Sequence, residues 1–344
     1  MAVEKVVVPV IPGDGVGPEL AEAARLCVEA LNARMGTAVE LVPHKAGYGC
    51  YLESGTALPD NTVSAMINSR ATLIGAITGK LCPPPSPMGQ IRKSLGLWGD
   101  IRHCVSIPGS PRDGIDIVII RECSEGFLSD RNMFQGNGEF MPTPDTVISL
   151  RVTTRLKCER IAGFAFRYAL EHGRKRITVA HKSVVFPLGC GMFRECLTEE
   201  SKRHPGVVLD EKLIDELAGD LALNPQAYDV IAATNMFGDI LSEVVASQVG
   251  SIVAIQNVGD RSAVFYPSHG APAGQAGRNN VNPLAMLRAV CMMMNWLDMP
   301  EGASALDAAL RGACDETKIG GSPVLPAGVT TSGFVRMVID RISV

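Results

Sequence analysis

Three arginines stand where a guanidinium needs a partner. Arg92 and Arg102 flank the segment IRKSLGLWGDIR, and Arg121 closes the apolar run IDIVIIRE. Burying such a group costs on the order of several kcal/mol unless it is paired. Its planar fork suits bidentate capture of a carboxylate. Together the three can hold a di- or tricarboxylate, although scattered ion pairs are the plainer account of any one of them.

A second set is acidic. NMFGDILSEVVASQVG places Asp239 and Glu243 four residues apart on one helical face, where like charges repel. A divalent cation between them reverses that penalty, and Asp215 in LIDELAGDL can supply a third carboxylate. A solvated helix face is the bland alternative. Lys182 ends the strand RITVAHK, at the carboxyl end of a strand, where open α/β sheets bind ligands. A lysine there can serve as general base when its proton affinity is lowered.

The elements that carry these groups alternate apolar β-branched runs with amphipathic stretches. Strands are expected at Val6–Ile11, Ala71–Ile77, Ile115–Ile120, Ile177–Ala180, Val207–Ile214 and Val230–Ala233. Helices are expected at Pro18–Met35, Cys158–His172, Cys190–Arg203, Asp239–Val249, Pro283–Leu297, Ala303–Cys314 and Thr330–Ile342. Asp145–Thr154 alternates and reads as antiparallel. Runs of this kind belong to strands buried on both faces of an α/β sheet. The turn IPGDGVGPEL between the first strand and helix is glycine-rich but lacks the GxGxxG spacing of the dinucleotide fingerprint. Three Pro- and Gly-rich stretches, Leu81–Gly89, Asn132–Pro144 and Pro267–Gly277, read as functional loops or arms.

With 344 residues, two domains are expected. A net charge of −4 argues against a general nucleic-acid binder. No run approaches the ~20 apolar residues of a membrane span, and the N-terminus does not read as a signal peptide. The ten cysteines form no CxxC pair and fit a reducing cytoplasm.

Taken in order along nearly the whole chain, IPGDGVGPE, IRKSLGLWGDIR, DIVIIRECSEGF, AHK, NMFGDILSE, HGAPAGQAGRNNVNP and IGGSP resemble the β-decarboxylating dehydrogenases of isocitrate, 3-isopropylmalate, homoisocitrate and tartrate. The resemblance implies an α/β fold with two α/β domains around a central cleft, distinct from a classical Rossmann fold. One domain, residues 1–99 with 251–344, would be the larger and bind the dinucleotide; the other, 100–250, would carry substrate and metal residues and the dimer interface. It implies oxidation of a metal-bound 2-hydroxy acid by hydride transfer to a nicotinamide dinucleotide, then loss of CO₂ and protonation of the enol. Arg92, Arg102 and Arg121 match the arginines on the malate-core carboxylates, and Asp215, Asp239 and Glu243 match the carboxylates for Mg²⁺ or Mn²⁺. Lys182 matches the lysine linked to deprotonating the hydroxyl. Lys182 and Asp215 would reach into the partner's site, so a homodimer would be the catalytic unit. The dinucleotide would lie on His269–Asn282, with His269, Gly270, Gly274 and Asn282 as contacts.

The chain departs from that pattern in four places. Leu128 stands where the family has the tyrosine that protonates the enol, and leucine has no proton to give. Val184 replaces an asparagine near the nicotinamide, and Glu243 replaces an aspartate. Gly274 replaces the aspartate that marks NAD users, while the Lys-Tyr pair of NADP users is also missing; Arg278 is near enough in sequence to meet a 2′-phosphate. NAD is slightly favoured. Ser86, six residues before Arg92, matches the serine that isocitrate enzymes use for the γ-carboxylate, but Met88 and a run of prolines reshape the loop. The expected substrate has a malate core with an unusual third substituent. Two alternatives follow: oxidation without efficient decarboxylation, because of Leu128, and a silent subunit regulating an active paralogue.

Overall fold

The computed structural model describes residues 5–78, 81–83, 85–127, 135, 138–250, 253–270 and 273–343. In order, the chain forms β1 (Val6–Gly13), α1 (Gly17–Met35), β2 (Val39–Pro43), α2 (Tyr48–Ser54), α3 (Asp60–Ile67), β3 (Ala71–Ala76) and α4 (Pro87–Ser94). It continues as β4 (Gly99–Val105), β5 (Asp116–Glu122), β6 (Glu139–Thr143), β7 (Thr146–Ser149), α5 (Arg155–Glu171), β8 (Arg176–His181) and α6 (Gly189–Ser201). Then come β9 (Val208–Leu213), α7 (Ile214–Leu223), β10 (Val230–Ala233) and α8 (Asn235–Val249). It closes with β11 (Ala254–Val258), β12 (Ala263–Pro267), α9 (Leu284–Trp296), α10 (Pro300–Thr317) and α11 (Thr331–Arg341).

Two compact units result. The first takes Met1–Leu97, Ser106–Asp113 and Gln248–Val344; the second takes Trp98–Val105 and Gly114–Ser247. In the first, strands lie in the order β2-β1-β3-β12-β11, all parallel except the β11–β12 pair. Every residue of β3 is buried, as a strand covered on both faces requires. Helix α1 buries Leu20, Ala24, Cys27 and Leu31, a stripe at helical spacing. Gly13 ends β1 at φ +76°, and a Cβ there would stand 1.8 Å from the Ala76 carbonyl oxygen, so only glycine fits this turn.

In the second unit the order is β4-β5-β10-β8-β9, with β4 antiparallel to β5 and the rest parallel. The expected antiparallel segment Asp145–Thr154 is shorter than its alternation suggests. Only Thr146–Ser149 pairs, with Glu139–Thr143, because Val152 turns away to bridge Gly126 before α5 begins. Helix α8 begins at Asn235 rather than Asp239, since Gly238 N–H already donates to the Thr234 carbonyl at 2.8 Å. All ten cysteines are free and buried. Among the described residues no helix is long and apolar enough to cross a membrane.

Candidate active site

The arginine cluster of the second unit is built by strand register. Asp100 and Arg102 are two apart on β4 and share a face; Arg121 on β5 stands directly opposite Asp100. Ala233 at the end of β10 pairs with Arg121, so α8, which begins two residues later, starts beside that guanidinium. Asn235, Asp239, Ser242 and Glu243, spaced by four, three and one, then form a stripe facing the arginines. Gly238 lies within this stretch, and a Cβ on it would be 2.8 Å from the Arg121 Cβ. The glycine of NMFGD is therefore what lets α8 approach Arg121.

The contacts are dense. Arg102 donates through Nε to Asp100 Oδ1 (3.1 Å), through Nη2 to Asp239 Oδ1 (2.7 Å), and through Nη1 to Ser242 Oγ (2.6 Å) and Glu243 Oε1 (3.0 Å). Arg121 donates through Nη1 to Asp239 Oδ1 (2.6 Å) and through Nη2 and Nε to Asn235 Oδ1 (2.6 and 3.2 Å). Asn235 in turn donates to the Glu125 carbonyl at 2.6 Å. Both guanidinium groups are buried, whereas the side chains of Asp239 and Glu243 are 52% and 64% exposed. Glu125, whose carboxylate accepts from the Thr154 N–H and hydroxyl, is buried, and burial pushes its carboxyl above the usual range.

This arrangement corrects one inference from spacing. The repulsion between Asp239 and Glu243 needs no metal to relieve it, because Arg102 touches both. The donor set still suits a hard cation: two exposed carboxylates one turn apart are what Mg²⁺, which keeps several waters, commonly takes from a protein. Among the described residues no group of three His, Cys, Asp or Glu is gathered to hold a metal, so Asp215 does not join Asp239 and Glu243 within one chain. Asp215 opens α7 and pairs instead with Lys182, which follows β8; that ammonium holds the Asp215 carboxyl below the usual range. Val184, two residues on, is 70% exposed.

In the first unit the motif IPGDGVGPE acts as a clamp. The Asp14 carboxylate accepts the backbone N–H groups of Tyr48 (3.0 Å), Gly49 (2.8 Å) and Thr78 (2.8 Å). Glu19 Oε1 accepts from Gly277 N–H at 2.5 Å, tying Gly277 to α1. Three buried side-chain atoms have no partner: Glu19 Oε2, and His269 Nε2 and Asn280 Oδ1 on either side of Gly277 in sequence. Orphaned donors and acceptors beside a glycine-rich loop fit a polar ligand such as a dinucleotide. Gly270 and Gly274 are exposed on that loop, and burial holds His269 below the usual histidine range. Asn282 is fully buried with its side chain wholly committed: Nδ2 donates to the Gly320 and Ser322 carbonyls and Oδ1 accepts from Leu284 N–H. Its side chain shapes the loop.

Ser86 caps α4, accepting from Gly89 N–H at 3.2 Å, and Arg92 follows on the same helix. Met88 packs against the core cluster of Ile11, Ile74 and Ile91. Leu128 lies outside the described residues. The structure adds groups that sequence reading passed over. Asp100, Asn235 and Ser242 lie inside motifs already noted, and the two-residue spacing of Asp100 from Arg102 was a usable signal. Glu19, Asn257 and Tyr266 carried none.

The model of the isocitrate/isopropylmalate dehydrogenase family matches residues 7–338. The chain is 35% identical over 333 residues to 3-isopropylmalate dehydrogenase of Archaeoglobus fulgidus, covering 96% of this chain and 97% of that protein. It is 33% identical over 339 residues to isocitrate/homoisocitrate dehydrogenase of Thermus thermophilus, covering 96% and 97%. The crystal structure of isocitrate dehydrogenase from Methylococcus capsulatus superposes with a TM-score of 0.86 at 28% identity, covering 98% and 99%. The α/β fold, the motifs and these likenesses agree, and the chain belongs to the isocitrate/isopropylmalate dehydrogenase family of decarboxylating 2-hydroxy-acid dehydrogenases.

Proposed function

We propose that this protein oxidises and decarboxylates a malate-core 2-hydroxy acid, with NAD preferred over NADP. The observation that carries the reading is the buried Arg102–Arg121 pair, held by Asp100 behind and by the exposed α8 carboxylates in front. Such a pair is poised to exchange its exposed partners for substrate carboxylates, because a fork already oriented loses little freedom on binding. Arg92 and Ser86 on α4 serve the remaining acid group and the third substituent.

Asp239 and Glu243, with Asp215 of a second copy, would hold Mg²⁺ or Mn²⁺, and the loop His269–Asn282 with Gly270 and Gly274 would hold the dinucleotide. Bound there, the metal supplies a Lewis acid for the substrate hydroxyl and the dinucleotide supplies the hydride acceptor. Lys182 handles the hydroxyl proton. Its pairing with Asp215 keeps the ammonium in place until substrate arrives. Asn235, fixed to the Glu125 carbonyl, keeps the Arg121 fork aimed while the acid is bound.

A homodimer with shared sites is supported by large apolar side chains left exposed on the second unit: Phe140, Met141 and Val147 of the β6–β7 hairpin, and Met236 and Ile240 of α8. The test is a screen of malate-core acids with Mn²⁺ and each dinucleotide, following reduced nicotinamide and released CO₂. Turnover of one such acid, with CO₂ matching the reduced cofactor, is expected; no turnover of any would overturn the reading.

A further inference from the structure

Arg92 meets two neutral acceptors on neighbouring strands. Its Nε donates to Asn257 Oδ1 at 2.9 Å and its Nη2 to the Tyr266 hydroxyl at 2.8 Å, and that hydroxyl donates to the same Asn257 Oδ1 at 3.0 Å. The three groups close a ring on one edge of the guanidinium. Strand register puts them there. Asn257 and Ile255 share a face of β11, and Tyr266 on β12 stands opposite Ile255, so Tyr266 and Asn257 are diagonal neighbours.

Both anchors are themselves fixed. Asn257 is fully buried. The Tyr266 ring packs against the cluster that includes Ile11, Ile74, Ile91 and Leu97, with its hydroxyl turned to Arg92. These two acceptors, themselves uncharged, orient one edge of the guanidinium. A guanidinium already oriented in this way loses little freedom when it pairs with an acid.

We propose that Tyr266, with Asn257, is a positioning residue that aims Arg92 at a carboxylate of the substrate and so sets affinity for the acid. This rests on the proposed function. Because Arg92 acts on binding of the acid and not on the hydride or the hydroxyl proton, losing the Tyr266 hydroxyl should raise KM for the acid and leave kcat nearly unchanged.

The test uses the full chain and the acid found by the screen. Tyr266→Phe keeps the packed ring and removes only the hydroxyl. Expected are a rise of about tenfold in acid KM, the loss of one charge-assisted hydrogen bond, with kcat and dinucleotide KM within about twofold of wild type. A double-mutant cycle of Tyr266→Phe with Arg92→Met, read by urea denaturation, needs no activity and should show non-additive unfolding constants. An unchanged acid KM, a parallel loss in acid and dinucleotide KM, or an additive cycle would each overturn the proposal. If the unaltered protein turns over no malate-core acid, the functional reading falls, and the positioning role for substrate falls with it; a non-additive cycle would then leave only the structural coupling of Tyr266 to Arg92.

Discussion

Asp100 and Arg121 face each other across the antiparallel β4–β5 pair, the fully buried carboxylate 3.5 Å from Nη1 of the guanidinium. The same carboxylate meets Arg102 Nε at 3.1 Å, so one buried anion serves two buried cations. Removing one partner from such a set leaves uncompensated charge in a low dielectric. Asp100→Ala is expected to cost about 3–5 kcal/mol of stability, and Asp100→Asn less. Chemical denaturation checks this; a loss under about 1 kcal/mol for the alanine variant would mean that solvent or another group already neutralises the pair.

Arg121→Lys keeps the charge but cannot span Asn235 and Asp239 at once. A fall of about 10- to 100-fold in kcat/KM for the acid is expected, with dinucleotide affinity almost untouched, as measured by steady-state kinetics and by binding of reduced nicotinamide. Equal weakening of both ligands would place Arg121 in a structural role only.

Asp239 and Glu243 lie against Arg102. Acid and divalent cation should therefore help each other: the acid's carboxylates occupy the arginines and release Asp239 and Glu243 for the cation. Mn²⁺ titrations with and without the acid should show tighter metal binding in its presence, and Asp239→Asn should abolish both the enhancement and activity. Full turnover in excess chelator would contradict the assignment.

Burial holds His181 and His269 below the usual histidine range. The unfolded chain takes up these protons near pH 6.5, the folded chain only at lower pH. The unfolded state thus binds more protons as pH falls through 6.5, and stability declines. Thermal midpoints should drop between pH 7.5 and 5.5, and His269→Gln should flatten the drop. A midpoint insensitive to pH in that window would show that these rings take up protons as readily in the fold as in the unfolded chain.

On the proposed reading, Leu128 stands where the resemblance puts the proton-donating tyrosine, and protonation of the enol would fall to water or another group. General acid catalysis is typically worth about 10²–10⁴-fold in its step. Rapid mixing with the acid and dinucleotide in excess over enzyme should show a burst of reduced nicotinamide before a slower steady state, and Leu128→Tyr should shrink it. A full primary deuterium isotope effect on kcat with no burst would show that hydride transfer limits turnover.

Local order was enough to place the strand that carries Arg121 and the one that Lys182 follows, because an apolar run ending in a cation is visible in consecutive residues. Motif order along the chain was enough to identify the family. The register of β4 on β5 was not legible, since a shift of one residue leaves composition unchanged yet turns Asp100 away from Arg121. Spacing alone likewise put Asp239 and Glu243 on one helix face but was silent on what opposes them; the answer, Arg102, lies 137 residues from Asp239. The same holds for Tyr266 and Arg92, 174 residues apart and joined by a hydrogen bond. Periodicity reports which face of an element is buried. Which charge meets which across that face is decided only when strands pair and helices dock, and that is a property of the folded chain.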